Sequence, residues 1–129
     1  MSNKQYQIIL DKERCIVLLI VHGELSKEAG EDIITQTRMK ALENQYNILC
    51  DVRQAEINVG FADWFYLPRK LDIYQKTRAI KTAILITPGQ QEKEYKFFEN
   101  VAHNLGISIK VFTREKDAVD WLNKVKVDK

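Results

Sequence analysis

The residues that most often do chemistry are scarce in this chain of 129. It has two cysteines, two histidines and three serines. Cys15 and Cys50 both fall inside apolar runs, so they are expected to be reduced and buried as packing residues. No third ligand stands at metal-binding spacing beside them or beside His22 and His103, so no metal site is expected. Glycine is also sparse. Gly23, Gly30, Gly60, Gly89 and Gly106 form neither a dinucleotide fingerprint nor a phosphate-binding loop, and no cofactor is expected.

Charge and hydropathy exclude further classes. A net charge of +2 is too small a bias to select nucleic acid or an anionic membrane surface as partner. The longest apolar run, Cys15 to Val21, is strand-sized, whereas a membrane span needs about 18 residues or more. Met1 to Gln5 carries no apolar signal core, so the expected location is the cytoplasm. What remains is a soluble-type chain, 45% hydrophobic and 29% charged. A chain of this length buries roughly two-thirds of its unfolded surface and needs no disulfide or metal to hold a core.

The pattern predicts a single α/β domain in the order β-β-α-β-α-β-α-β-α, with a core over about 6–125. Tyr6 to Leu10 reads as a strand, the polar Asp11 to Arg14 as a hairpin turn, and Cys15 to Val21 as a second strand ended by His22-Gly23-Glu24. Ser26 is placed to cap a helix over Lys27 to Glu43, with Ala29, Ile33, Thr37 and Ala41 on its apolar stripe and Ile34 and Leu42 widening it. Asn44 is its expected left-handed stop. Tyr46 to Val52 is the third strand and Arg53 to Asn58 a polar connection. The next helix holds Phe61, Trp64, Phe65, Leu67, Leu71 and Tyr74, kinked or divided by Pro68. Lys81 to Ile86 is the fourth strand, and Glu92 to Leu105 is a helix stopped by Gly106. Ile107 to Val111 alternates as an edge strand, and Thr113 is placed to cap a last helix with Ala118, Trp121, Leu122 and Val125 inside. Alternating strands and helices imply a mostly parallel five-stranded sheet with the first strand antiparallel.

Three sets of residues are candidates for function. His22 and Asp51 end neighbouring strands on the edge where open parallel sheets bind ligands, and together could act as base and orienter. No serine or cysteine is placed beside them as nucleophile. Four of the twelve aromatic residues fall in Phe61 to Pro68, with Phe61, Trp64 and Phe65 on one helical face and Tyr66 pointing away. That cluster is either core alone or core that also walls a pocket or interface. The basic run Arg69, Lys70, Lys76, Arg78 and Lys81, offset by Asp72, is either a solvated helix face or a site for a phosphate or lipid headgroup.

Three stretches carry a family resemblance: Leu18 to Ser26 with its HGELS ending, NILCDVR over Asn47 to Arg53, and VFTREKDAVDWL over Val111 to Leu122. On these the chain resembles the STAS-like, or SpoIIAA-like, family, close to the branch grouped with CRAL-TRIO lipid-exchange domains. The resemblance covers Tyr6 to about Val125. It implies a sheet in the order 1-2-3-4-5 and a non-enzymatic module. Some members bind partner proteins such as anti-sigma factor kinases; others bind small or apolar ligands. Phospho-switched members carry a serine or threonine where the second helix starts. The matching stretch here, Ile57 to Phe61, has no hydroxyl, so that control does not carry over.

The leading expectation is thus a non-catalytic interaction domain in bacterial-type cytoplasmic regulation, self-associating as a homodimer. Strands two and four are apolar on both faces, while sequential right-handed crossovers place their helices on one face, so the other needs cover. The second expectation is a binding module for a small apolar or anionic-headed ligand such as a lipid. Its pocket lies between the second helix and the C-terminal strand ends and uses Asp51, Arg53, Phe61, Trp64, Tyr66 and Arg78, with His22 and Asn58 as further candidates. The third is an enzyme built on His22 and Asp51.

Overall fold

Runs of aliphatic and β-branched residues make the strands, and the computed structural model, which describes residues 5–57 and 60–124, arranges them in one sheet. β1 (Tyr6–Asp11) and β2 (Ile16–Leu25) form an antiparallel hairpin. β3 (Asn47–Ile57), β4 (Thr82–Leu85) and β5 (Ile109–Phe112) follow in parallel, giving the five-stranded order β1-β2-β3-β4-β5. Between them lie α1 (Lys27–Asn44), α2 (Phe61–Lys70), α3 (Asp72–Lys76) and α4 (Glu92–Asn104), and α5 (Glu115–Asn123) closes the order. The predicted mixed sheet is the observed one.

The period of two along each strand decides what each face buries. Leu19, Val21, Val52, Ile84 and Val111 pack with Ile33 of α1, Trp64 of α2, Tyr74 of α3 and Phe98 of α4. The alternate positions Ile16, Leu49, Ala83 and Leu85 meet Ala118 and Leu122 of α5. The crossover helices therefore share one face, as right-handed connections along a sequential sheet require. On the other face α5 lies over β3, β4 and β5. Toward β1 this cover thins: Leu18, at the margin of the α5 cluster, and Ile20 stay half-buried, and Ile9 is 42% exposed. Each fully buried Ile, Leu or Phe contributes roughly 1.5–3 kcal/mol, so the helix-covered face holds most of the stability.

Several boundaries differ from the sequence reading. Cys15 is not in β2; it sits exposed in the hairpin turn at φ 55°. His22-Gly23-Glu24 does not end β2. The β2–β3 ladder shifts register between Ile20 and His22, next to Gly23 at φ 79°, and pairing resumes to Leu25 opposite Ile57. β3 likewise runs through the stretch expected to be a connection, because the extended β2 supplies its partners. Ser26 caps α1 as expected, its Oγ accepting from Ala29 N–H. The left-handed stop is Gln45 rather than Asn44. Leu42 is 45% exposed and so lies off the stripe, whereas Arg38 is buried on it. The aromatic helix divides at Leu71, leaving Pro68 inside α2. Thr113 does not cap α5; Arg114 holds that place, with no side-chain bond. Val125 lies outside the described residues.

Candidate functional site

The alternation that sends Leu19, Val21, Cys50, Val52 and Ile84 to the helix-covered face also makes them the floor of a cavity of about 130 Å³. Ile33, Ile34 and Arg38 of α1 form one wall; Trp64 and Leu67 of α2, with Tyr74 of α3, form another. Tyr95 and Phe98 of α4 complete it. The exposed and half-buried members, Ser26, Lys27, Gly30, Glu31, Asp63 and Leu67, place the approach from solvent between the start of α1 and α2. Two ion pairs span that approach, Lys27 to Asp63 at 3.2 Å and Lys70 to Glu31 at 3.1 Å. A hydrogen bond to Asp63 raises the Lys27 ammonium above its ordinary pKa.

Aromatic rings run in a row along the cavity. Trp64 meets Tyr95 and Phe98 edge to face, each at a centroid distance of 5.3 Å, and Phe98 meets Tyr74 at 6.5 Å. The Arg38 guanidinium lies 4.6 Å from the Tyr74 ring centroid.

Polar groups in this wall are few and unusually placed. Arg38 is only 3% exposed. Its Nε donates to Thr77 Oγ1 at 2.6 Å, Nη1 to Thr82 Oγ1 at 2.8 Å and Nη2 to the Thr77 carbonyl at 3.0 Å. No carboxylate among the described residues pairs with it. Burial pulls its pKa below the ordinary value, with Tyr74 opposing. Trp64 Nε1 and Tyr95 Oη are buried without a hydrogen-bond partner among the described residues. Burial pushes the Tyr95 hydroxyl far above its usual range and raises Tyr74 to about 12. The Cys50 thiol, pushed up to about 12 mainly by burial, is no nucleophile.

The candidates read from sequence scatter over the molecule. Of those whose side chains are described, Trp64 alone stands in the cavity wall, and it is core as well, at 5% exposure. Phe65, expected beside it, is 37% exposed under the Arg69 guanidinium, and Tyr66 is 60% exposed. Asp51 and Arg53 alternate with Cys50 and Val52, which puts them on the opposite face. There Arg53 pairs with Asp51 at 2.8 Å and with Glu115 of α5 at 3.7 Å. His22 and Asp51 share no hydrogen bond. The His22 ring lies 3.4 Å from the Gln5 carbonyl, while Asp51 accepts from Arg53. Arg78 donates to Gln75 on the surface, away from the wall. Asn58 and the Phe61 side chain lie outside the described residues.

The basic run disperses. Lys70 pairs with Glu31, and Lys81 donates to the Trp121 and Lys124 carbonyls. Arg38 and Tyr95 line the cavity without having been candidates from sequence, and Tyr74 was expected only as part of the second helix's apolar set. The signal for Arg38 was its spacing: it follows Ile34 by one turn and precedes Ala41 on the stripe, a charge among apolar positions.

No protein-family model matches the chain, and a search of curated proteins finds no match. Solved structures do match. The unphosphorylated form of the anti-sigma factor antagonist SpoIIAA aligns with a TM-score of 0.56 and 16% identity, over 93% of this chain and 99% of that one. An uncharacterised DUF3478-family protein with a SpoIIAA-like fold, from Shewanella loihica PV-4, aligns with a TM-score of 0.57 and 21% identity, over 95% of this chain and 98% of that one. The chain has the SpoIIAA-like fold. No helix among the described residues is long and apolar enough to cross a membrane.

Proposed function

We propose that this chain is a non-catalytic SpoIIAA-like binding domain whose ligand is a small, mainly apolar molecule held between the sheet and α1, α2 and α4. The observation that carries this reading is the pair of buried polar atoms without a partner among the described residues, Trp64 Nε1 and Tyr95 Oη, in the wall of a mainly apolar cavity. Leaving such groups unpaired costs about 1–3 kcal/mol each, a cost a guest with an acceptor relieves. The size is adequate, since an engineered apolar cavity of about 150 Å³ holds benzene. The resemblance in sequence to the branch grouped with lipid-exchange domains is in keeping with a site of this kind. SpoIIAA, an anti-sigma factor antagonist, shares the fold; in that light the ligand serves as a signal relayed to a partner protein. The His22 and Asp51 residues, which share no hydrogen bond, give an enzyme little support.

The test is a titration of benzene into 15N-labelled protein, watching the two tryptophan indole N–H resonances, assigned with Trp121→Phe. A saturable shift of Trp64 with Trp121 unmoved is expected. A Trp64 signal that stays in place removes the reading.

Self-association is a second reading, favoured by the sheet face beyond α5, where Ile9 is 42% exposed beside half-buried Leu18 and Ile20. Sedimentation velocity at micromolar concentration should find a dimer that Ile9→Lys converts to monomer. A native protein that sediments as a monomer ends this reading.

A further inference from the structure

Resting on the cavity reading above, we infer that the bound molecule carries one carboxylate, seated on guanidinium N–H groups of Arg38 that no atom of the described residues accepts. A guanidinium has five N–H donors. The three hydrogen bonds to Thr77 Oγ1, Thr82 Oγ1 and the Thr77 carbonyl use one on Nε, one on Nη1 and one on Nη2. One donor on each terminal nitrogen is left, and Arg38 lines the cavity. These acceptors are neutral, so they orient the fork without cancelling its charge. A buried charge without a counter-ion is costly, and arginine does not shed its proton to escape that cost. The ring of Tyr74 at 4.6 Å compensates only in part.

The charge of the guest follows from this count. A carboxylate brings one negative charge and two acceptor oxygens, matching one guanidinium with two free donors. A dianionic phosphate would bury a surplus negative charge, with no second cation in this wall deep enough to meet it. Lys27, the other basic wall residue, is exposed and paired with Asp63. The apolar body follows from the row Tyr74, Phe98, Trp64 and Tyr95, which leads away from Arg38 along the cavity. The anionic-headed ligand expected from sequence is thus kept, with its cation moved from Arg53 and Arg78 to Arg38.

Benzoate and benzyl alcohol separate the possibilities, being alike in body and different in head. Affinity is measured by calorimetry at neutral pH, and position by the Trp64 indole and Arg38 Nε–H resonances. Benzoate should bind about tenfold or more tightly than benzyl alcohol and shift both resonances, while Arg38→Met should abolish the preference. Equal binding of the two, with Trp64 shifting, overturns the carboxylate and leaves the cavity reading standing. A preference for benzoate that survives in Arg38→Met, or leaves the Arg38 signal unmoved, places the head elsewhere and also overturns the inference. If neither compound moves Trp64, the cavity reading falls with it. Should Arg38→Met not fold, the native comparison with the Arg38 signal decides alone.

Discussion

Arg38 and Thr77 meet twice across 39 positions of sequence: the guanidinium Nε donates to Thr77 Oγ1 at 2.6 Å, and Nη2 donates to the Thr77 carbonyl at 3.0 Å. Thr77 Oγ1 in turn donates to the Ile73 carbonyl at 2.6 Å. One threonine at the end of α3 therefore ties α1 to that short helix, and Thr82 at the start of β4 takes the third bond. The arrangement holds the fork at the edge of the cavity.

Thr77→Val keeps the side-chain shape but deletes the acceptor, leaving the Nε–H buried and unpaired. A loss of about 1–3 kcal/mol is expected, with Thr77→Ser retaining most of the native stability because the hydroxyl returns. Urea unfolding of both variants checks this. Equal losses in the two would mean that the methyl group, and not the hydrogen bond, matters at Thr77.

Trp64 has two jobs that substitutions can separate. It is core, at 5% exposure and edge to face with Tyr95 and Phe98, so Trp64→Ala should cost about 3–5 kcal/mol. Trp64→Phe also loses packing, but it removes an N–H that has no partner among the described residues, which offsets part of the loss. The Phe variant should therefore fold and lie well under half the cost of the Ala variant by denaturant unfolding. A Phe variant as damaged as the Ala variant would show that Nε1 is satisfied in solution.

The order of elements was legible because apolar runs and caps agree locally. Cys15 to Val21, Ile48 to Val52 and Ala83 to Ile86 hold almost no polar residue, and Ser26 and Gly106 mark helix ends. The lengths of β2 and β3 were not legible. His22 to Leu25 and Gln54 to Ile57 look like loop, and they pair because each supplies the other's backbone partners beyond a bulge. The cavity was half legible. Trp64 stood on an apolar helical face, but only tertiary packing brings Tyr95 and Phe98 of α4 against it and leaves space between them. Arg38 escaped notice because a lone arginine in a helix ordinarily faces water, and its partners Thr77 and Thr82 come from distant segments. From sequence, Arg53 and Arg78 belong to a pocket between the second helix and the C-terminal strand ends. Strand alternation and surface packing carry both away from the cavity.

The two cysteines should differ sharply in reactivity, reversing the sequence expectation that both are buried. Cys15 is exposed in the β1–β2 turn, while Cys50 is half-buried in the cavity floor, where desolvation pushes its thiol up to about 12. Iodoacetamide at pH 8 should alkylate Cys15 in the folded protein and spare Cys50, which reacts only after denaturation. Peptide mass spectrometry reads both sites. Rapid labelling of Cys50 in the native state would mean that the cavity opens readily to reagent and water.

Asp51 gives a prediction in pH. Burial works to raise its carboxyl, but the hydrogen bonds and charge of Arg53 together outweigh burial and hold it below the ordinary value of 3.8. The folded state thus takes up this proton less readily than the unfolded chain. The stability from the charged form is complete above the unfolded value and is lost as pH falls through the lowered folded one. Asp51→Asn lacks that titration. It should be less stable than native protein at pH 7, and the gap should narrow toward about pH 3. Because the pair is partly open to solvent on the α5 face, the effect should also shrink in high salt. Urea midpoints for both proteins across this range decide the matter. A gap that stays constant with pH would mean that Asp51 acts through its shape and hydrogen bonds, with its charge contributing nothing to the fold.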